Sequence, residues 1–405
     1  MLNETSGPPA YRWVIVIASS LILAISMGAI VNGISAFVVP MQEVYGWQRG
    51  EVTMINMAGI MGLAFGGVVM GRQADQHGAR PIVLFGVIVL GLCYLAASRV
   101  TILWQLYVLF FVAGFFGAGA IFPPVMAIVG HWFHTGAGMA IGIASAGQAL
   151  GQGGIPFASS VLIAALGIQG AYGATGLFML AAMVPLALLL RPPPALTAAQ
   201  DMAAMADEDT AVPANEVIFR LSVAIVLCCT CMSVPLIHLV PLIQDRGFAP
   251  HEASSVIFVM MLVAIGGRLA FGKLADVIGA LPAYMAATAW MTLMVFGFIH
   301  VESLKSFYIY AIVYGFGYAG VMTGVLVSIR VLTPPSRRAF ALGIVGMFGW
   351  FGHAIGGYQG GLLYDYTGNY TAAYAVAAVA GILNLIVVSG LYRKTRAPAR
   401  MVAAQ

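Results

Sequence analysis

Twelve apolar runs, each near the length of a bilayer-crossing helix, occupy most of this 405-residue chain. They cover approximately 13–40, 51–71, 81–98, 104–129, 137–162, 171–190, 217–244, 252–273, 281–300, 305–331, 339–363 and 372–392. A helix rises about 1.5 Å per residue, so roughly 20 apolar residues match a hydrocarbon core about 30 Å thick. With 61% hydrophobic and 8% charged residues, the chain has no long polar domain. The expectation is an all-α membrane protein with 12 transmembrane helices. The first run is too long for a removable leader and flows into the second, so it is expected to remain as a span.

Basic residues orient the spans. With both termini in the cytoplasm, Arg12, Arg72, Arg80, Arg191, Arg220, Lys273, Arg337, Arg338, Arg393, Lys394, Arg396 and Arg400 lie inside. Only Arg49, Arg99, Arg246 and Lys305 then lie outside, while Arg268 and Arg330 fall in or beside spans. Twelve against four supports an even number of spans with inside termini. The net charge of +4 thus reports topology and implies no nucleic acid; the basic tail suits anionic lipid. Cys93, Cys228, Cys229 and Cys231 sit in apolar runs without metal-type spacing, so packing is expected of them, with no metal and no cofactor.

Residues 191–216, "RPPPALTAAQDMAAMADEDTAVPANE", interrupt the pattern with Pro, Ala and acids. They read as a cytoplasmic linker between bundles at 1–190 and 217–392, with a basic tail at 393–405. The two bundles repeat each other at an offset of 201 residues: Pro40 meets Pro241, Gly46 meets Gly247, Gly66 meets Gly267, and Asp75 meets Asp276. Over 39–81 the halves share eleven identities without a gap. Tyr107, Gly114, Gly142 and Gly151 continue the register to Tyr308, Gly315, Gly343 and Gly352.

Within the repeat, "GRQADQHGARP" and "GKLADVIGALP" occupy the loop after the second run of each half. Both resemble the loop signature of the major facilitator superfamily, through Gly71, Asp75, Gly78 and Arg80 and through Gly272, Asp276 and Gly279. The second copy has Leu281 in place of the basic residue. That resemblance implies two pseudo-symmetric six-helix bundles and transport by alternating access. Gly71 would admit close helix approach, and Asp75 would cap or pair on the cytoplasmic side.

All fourteen acids fall in loops or near span ends, so no mid-span carboxylate offers a proton relay. Arg268 stands in "AIGGRLAFGKLADVIG" as a permanent cation. It precedes Gly272 by four residues, about 6 Å of helix, so its guanidinium reaches either the cytoplasmic edge or an internal cavity. Inside, it suits an anionic cargo that completes the pair. His238, seven residues before Asp245, is either a packed histidine or a proton carrier. His353 matches Gln152 in the repeat and is a second candidate for proton or anion contact. Tyr310, Tyr314 and Tyr318 lie four apart on one face, serving as packing or, for Tyr314 and Tyr318, as cargo contacts. Asn32 and Gln148 are polar candidates in the first and fifth runs, while Pro123 and Pro124 are expected to bend the fourth.

Two further stretches resemble the bacterial relatives of monocarboxylate transporters and oxalate–formate antiporters. One is "YRWVIVIASSLILAISMGAIVNGISAFVVPMQEVYGWQRGEV", with Arg12-Trp13 and Gly46-Trp47; the other is "HWFHTGAGMAIGIASAGQALGQ", with Trp132-Phe133. The resemblance implies that Arg268, at the place of the family's arginine in the eighth span, binds a substrate carboxylate. "HTGAG" stands where that branch has basic residues, His353 where oxalate-type members have lysine, and Ala264 where animal members have aspartate. A single permanent cation tilts the reading from a dicarboxylate to a small monocarboxylate, such as lactate or pyruvate. The implied protein is a secondary transporter and not an enzyme; the proton mechanism of the animal members does not carry over at Ala264, and His238 is the candidate carrier for a coupled proton. It would be a monomer in a bacterial-type cytoplasmic (inner) membrane with both termini inside. Organic-anion exchange, efflux of an amphiphile and a non-transporting anion sensor are the alternatives.

Overall fold

The computed structural model describes residues 11–132, 137–191, 212–333 and 338–402, so most of the linker expected at 191–216 lies outside the described residues. Every regular element among the described residues is helical. Helix α1 (Tyr11–Met27) passes through a π turn (Gly28–Asn32) and a 3-10 turn (Gly33–Ala36) into α2 (Val38–Tyr45). There follow α3 (Arg49–His77), α4 (Ala79–Ala97) and α5 (Leu103–Val112), which continues through a π turn at Ala113–Ala118 into α6 (Gly119–His131). Helix α7 (Ala137–Leu188) has 52 residues, far more than one crossing needs. Gly167, at φ 70° and ψ 177°, breaks it into two passes.

The remaining helices are α8 (Ala214–Asp245), α9 (Pro250–Ile278), α10 (Ala280–Val295), α11 (Leu304–Leu332), α12 (Arg338–Thr367) and α13 (Thr371–Val402). Together these make twelve passes, as the sequence pattern predicts. Two boundaries differ from expectation. Helix α8 starts at Ala214, inside the expected linker, and α13 carries on through most of the expected tail. One ionic cluster supports both extensions: Glu216 accepts from Arg220 at 2.8 Å and from Lys394 at 2.6 Å.

The chain divides into two compact units. Unit 1 is Met1–Trp47 with Met54–Leu196, and unit 2 is Gln48–Thr53 with Thr197–Gln405. Each unit holds six passes, and glycine contacts keep the 201-residue register within them. A Cβ on Gly66 would strike the Phe115 carbonyl in unit 1; on Gly267 it would strike the Phe316 carbonyl in unit 2. Gly114 closes on Gly59, and Gly315 closes on Met260. Gly151 abuts the Ala24 backbone, and Gly352 abuts that of Val226, one residue past the matching position. In lipid no hydrophobic gain drives one helix onto another, so backbone approach through small residues supplies the packing. The same glycines recur because each unit builds its bundle with the same contacts.

Candidate functional site

Unit 2 holds most of the candidate residues. Gly267 lets α9 close on α11 at Phe316 and Ala319, and Arg268 is the next residue on α9. Arg268 is half-buried and lies within electrostatic reach of Tyr318. Tyr318 is buried and stacks on Tyr314, with ring centroids 6.0 Å apart and planes at 16°. Tyr314 is fully buried against Phe298, and its hydroxyl has no hydrogen-bond partner among the described residues. Tyr310, the third member of the stripe, donates instead to the Met294 carbonyl at 2.6 Å.

The two histidines go to different neighbours. His238 is fully buried, with Nε2 at 2.7 Å from the Gly357 carbonyl and Nδ1 at 3.4 Å from the Tyr370 hydroxyl. His353 is buried beside Trp350, and its Nε2 has no partner among the described residues. The buried cysteines are free thiols, and no described group of His, Cys, Asp or Glu has the makings of a metal site.

In unit 1 the break in the first pass is the main polar feature. A π turn releases carbonyls from the helical ladder, and each released group needs another donor. Tyr94 donates to the Ala29 carbonyl at 2.9 Å, while the Asn56 amide donates to those of Ile30 and Val31 at 3.0 and 2.9 Å. Asn32 ends this turn, donates to the Gln152 carbonyl at 3.2 Å and keeps a buried Oδ1 without a partner among the described residues. Gln148 is half-buried on α7, next to the Gly147–Gly151 face that packs on α1. Asn56 escaped the sequence reading, although a lone amide in the middle of an apolar run was a signal for it.

The loop signature is structural at its glycines. Gly78 and Gly279 take φ of 87° and 94°, a left-handed region that admits other residues only with strain. Gly71 and Gly272 face Pro123 on α6 and Thr323 on α11, with room for a Cβ at 3.7 and 3.6 Å. Arg80 and Asp276 are exposed, and the Asp75 side chain lies outside the described residues.

A cluster the sequence did not announce surrounds Arg49. Expected as an outer loop cation, Arg49 is 3% exposed and sits in the first turn of α3. Its partners are Asp245 and Tyr370, 196 and 321 residues away, so no local pattern pointed to them.

Comparison with known proteins agrees with this architecture. The family model described as Major Facilitator Superfamily matches residues 20–237 and 221–404. Monocarboxylate transporter 13 of Rattus norvegicus is 28% identical over 389 residues, covering 93% of this chain and 88% of the relative. Monocarboxylate transporter 2 of Meriones unguiculatus is 24% identical, covering 93% and 84%. Among solved structures, the nucleoside transporter NupG superposes with a TM-score of 0.73 at 12% identity, over 94% of this chain and all of that one (100%). A bacterial homologue of the human lysosomal transporter Spinster gives 0.67 at 15% identity, over 96% and 98%. Twelve passes in two matching six-helix units, the paired loop signatures and a family match along nearly the whole length make the chain a member of the Major Facilitator Superfamily, a multi-pass membrane transporter and not an enzyme.

Proposed function

We propose that this transporter carries a small monocarboxylate, of the lactate or pyruvate kind, by proton-coupled alternating access. The observation that carries the reading is a guanidinium and a phenol, Arg268 and Tyr318, within electrostatic reach of each other inside an apolar helix pair. An Arg fork matches a carboxylate, and a neighbouring phenol supplies a further donor. Neutralising the cation with cargo lowers the cost of enclosing both. The monocarboxylate transporters among the relatives support the same cargo class. Tyr314, His353, Asn32 and Gln148 are proposed as further contacts, and His238 as the proton carrier.

The twelve-to-four excess of basic residues supports both termini in the cytoplasm of a bacterial-type inner membrane. Uptake into proteoliposomes tests the function. Labelled lactate is expected to accumulate under an inward proton gradient, and unlabelled pyruvate to compete. Accumulation driven only by preloaded oxalate or another anion, without response to the gradient, would replace symport by exchange. No uptake of any small carboxylate would remove the cargo class.

A further inference from the structure

Gln48–Thr53 group with unit 2, although the helix they begin, α3, runs into unit 1 from Met54. The hold on this first turn is polar and specific. Arg49 donates to Asp245 from Nη1 at 2.7 Å and from Nη2 at 2.5 Å, and Nη1 also reaches the Tyr370 hydroxyl at 2.9 Å. Its guanidinium lies 3.9 Å above the centre of the Tyr364 ring. The backbone N–H groups of Arg49 and Gly50 donate to Asp365 at 3.0 and 2.6 Å, so a carboxylate caps the positive end of α3. Gly50 and Gly361 are bare where this docking needs them: a Cβ on Gly50 would strike Asp365, and one on Gly361 would strike Thr53. The repeat does not contain this cluster, because Pro250 corresponds to Arg49 and Val44 to Asp245.

His238 stands directly behind it. A carbonyl only accepts, so Nε2 carries the hydrogen toward Gly357 and the ring is neutral with Nδ1 as acceptor. Tyr370 can then donate to Nδ1 while its oxygen accepts from Arg49. One directed chain runs Asp245, Arg49, Tyr370, His238, Gly357. A second ring proton reverses its last side-chain link, since the Tyr370 hydroxyl must then accept from Nδ1 as well as from Arg49 and turn its own hydrogen elsewhere. At Nδ1 that proton would meet a hydroxyl whose hydrogen already points there, and it would add a cation one phenol away from Arg49. Tyr370 faces the ring directly; Tyr364, Tyr374 and Arg49 adjoin that phenol, Asp245 pairs with Arg49, and Asp365 accepts from the backbone of Arg49 and Gly50. Both carboxylates are already engaged, one by the guanidinium and one by the helix end.

The geometry points to a proton-released latch: Arg49, Asp245, Asp365 and Tyr370 hold the first turn of α3 while His238 is neutral, and a proton on His238 opens the hold. These are positioning residues, acting through α3. The inference rests on the proton-coupled part of the function proposed above and is independent of the cargo. A state without the chain accepts the second proton more easily, so acidification shifts the population toward release.

The test is the reactivity of Thr53→Cys in the full-length protein in lipid nanodiscs, with the unsubstituted protein as blank. Thr53 is fully buried in the latched arrangement. Maleimide modification is read relative to the same protein unfolded at the same pH, which removes the ordinary pH dependence of thiols. Modification is expected to be slow near about pH 7.5 and about tenfold faster near about pH 5.5. Adding His238→Gln should keep it slow at both, and adding Asp245→Asn should make it fast at both. Protection that ignores pH, or that survives Asp245→Asn, overturns the latch. Hydrogen exchange of the Arg49 and Gly50 amides in the unsubstituted protein reads the same opening without relying on the cysteine variant. Equal protection at both pH values there contradicts the proposal as well. Neither measurement needs cargo, so failure of carboxylate uptake leaves the latch standing. Proton-driven uptake with pH-insensitive protection removes the latch alone.

Discussion

Arg49 and Asp245 are joined by two parallel N–H···O bonds across 196 residues of sequence. The arginine side chain is 4% exposed and the aspartate 29%, so water screens the pair only from the carboxylate side. Removing one partner of such a pair leaves the other charge uncompensated, at a cost of about 3 kcal/mol. Arg49→Ala is therefore expected to lower the unfolding temperature of the purified protein by several degrees. An unchanged transition would mean that solvent already compensates Asp245 and that the pair is ornamental.

Close helix approach makes a second prediction. Gly151 and Gly142 lie on the same pass, but a Cβ on Gly151 would enter the Ala24 backbone while one on Gly142 meets nothing within 4 Å. Gly151→Val should destabilise by about 1–3 kcal/mol or more through overpacking. Gly142→Ala should be neutral or gain up to about 1 kcal/mol of helix propensity. Equal effects at the two sites would refute the packing of α7 on α1.

Asn56 has both amide hydrogens on the carbonyls that the π turn releases. Asn56→Asp keeps the size and removes the donors, so it should cost at least as much as Asn56→Leu. Each unsatisfied buried carbonyl costs about 1–3 kcal/mol. A thermal-unfolding series of the two variants decides the point, and a stable Asp variant would contradict the donor role.

The twelve passes and the repeat were legible because hydrocarbon thickness and backbone satisfaction leave a sequence few options. The repeat was written in glycines, and Gly66 with Gly267, or Gly114 with Gly315, close on equivalent carbonyls. Arg268 was visible as a cation in an apolar run, and Tyr318 as a member of a helical stripe. What stayed hidden was pairing across long separations. Nothing beside Arg49 marks it as buried, since its burial depends on Asp245, Tyr364, Asp365 and Tyr370 folding around it. The π turn was equally hidden, because Gly28–Asn32 reads as ordinary apolar helix until Asn56 and Tyr94 are seen supporting it.

The hydroxyls of the tyrosine stripe can be removed one at a time. Tyr314 buries a hydroxyl that has no hydrogen-bond partner among the described residues, so Tyr314→Phe should leave stability unchanged or raise it by up to about 1 kcal/mol. Tyr318→Phe should leave expression intact and raise the KM for a monocarboxylate several-fold, because the phenol lies within electrostatic reach of Arg268. If Tyr318→Phe transports with unchanged KM, the phenol does not take part in cargo binding.

The role of Arg268 is tested most directly by ligand-induced stabilisation of the purified protein with lactate, pyruvate, propionate and oxalate. A cargo at a hundredfold excess over its Kd adds about 2.7 kcal/mol to apparent stability. The account predicts saturable stabilisation by monocarboxylates in the unsubstituted protein and its loss in a folded Arg268→Ala variant. Undiminished stabilisation in that variant would show that the carboxylate is held elsewhere.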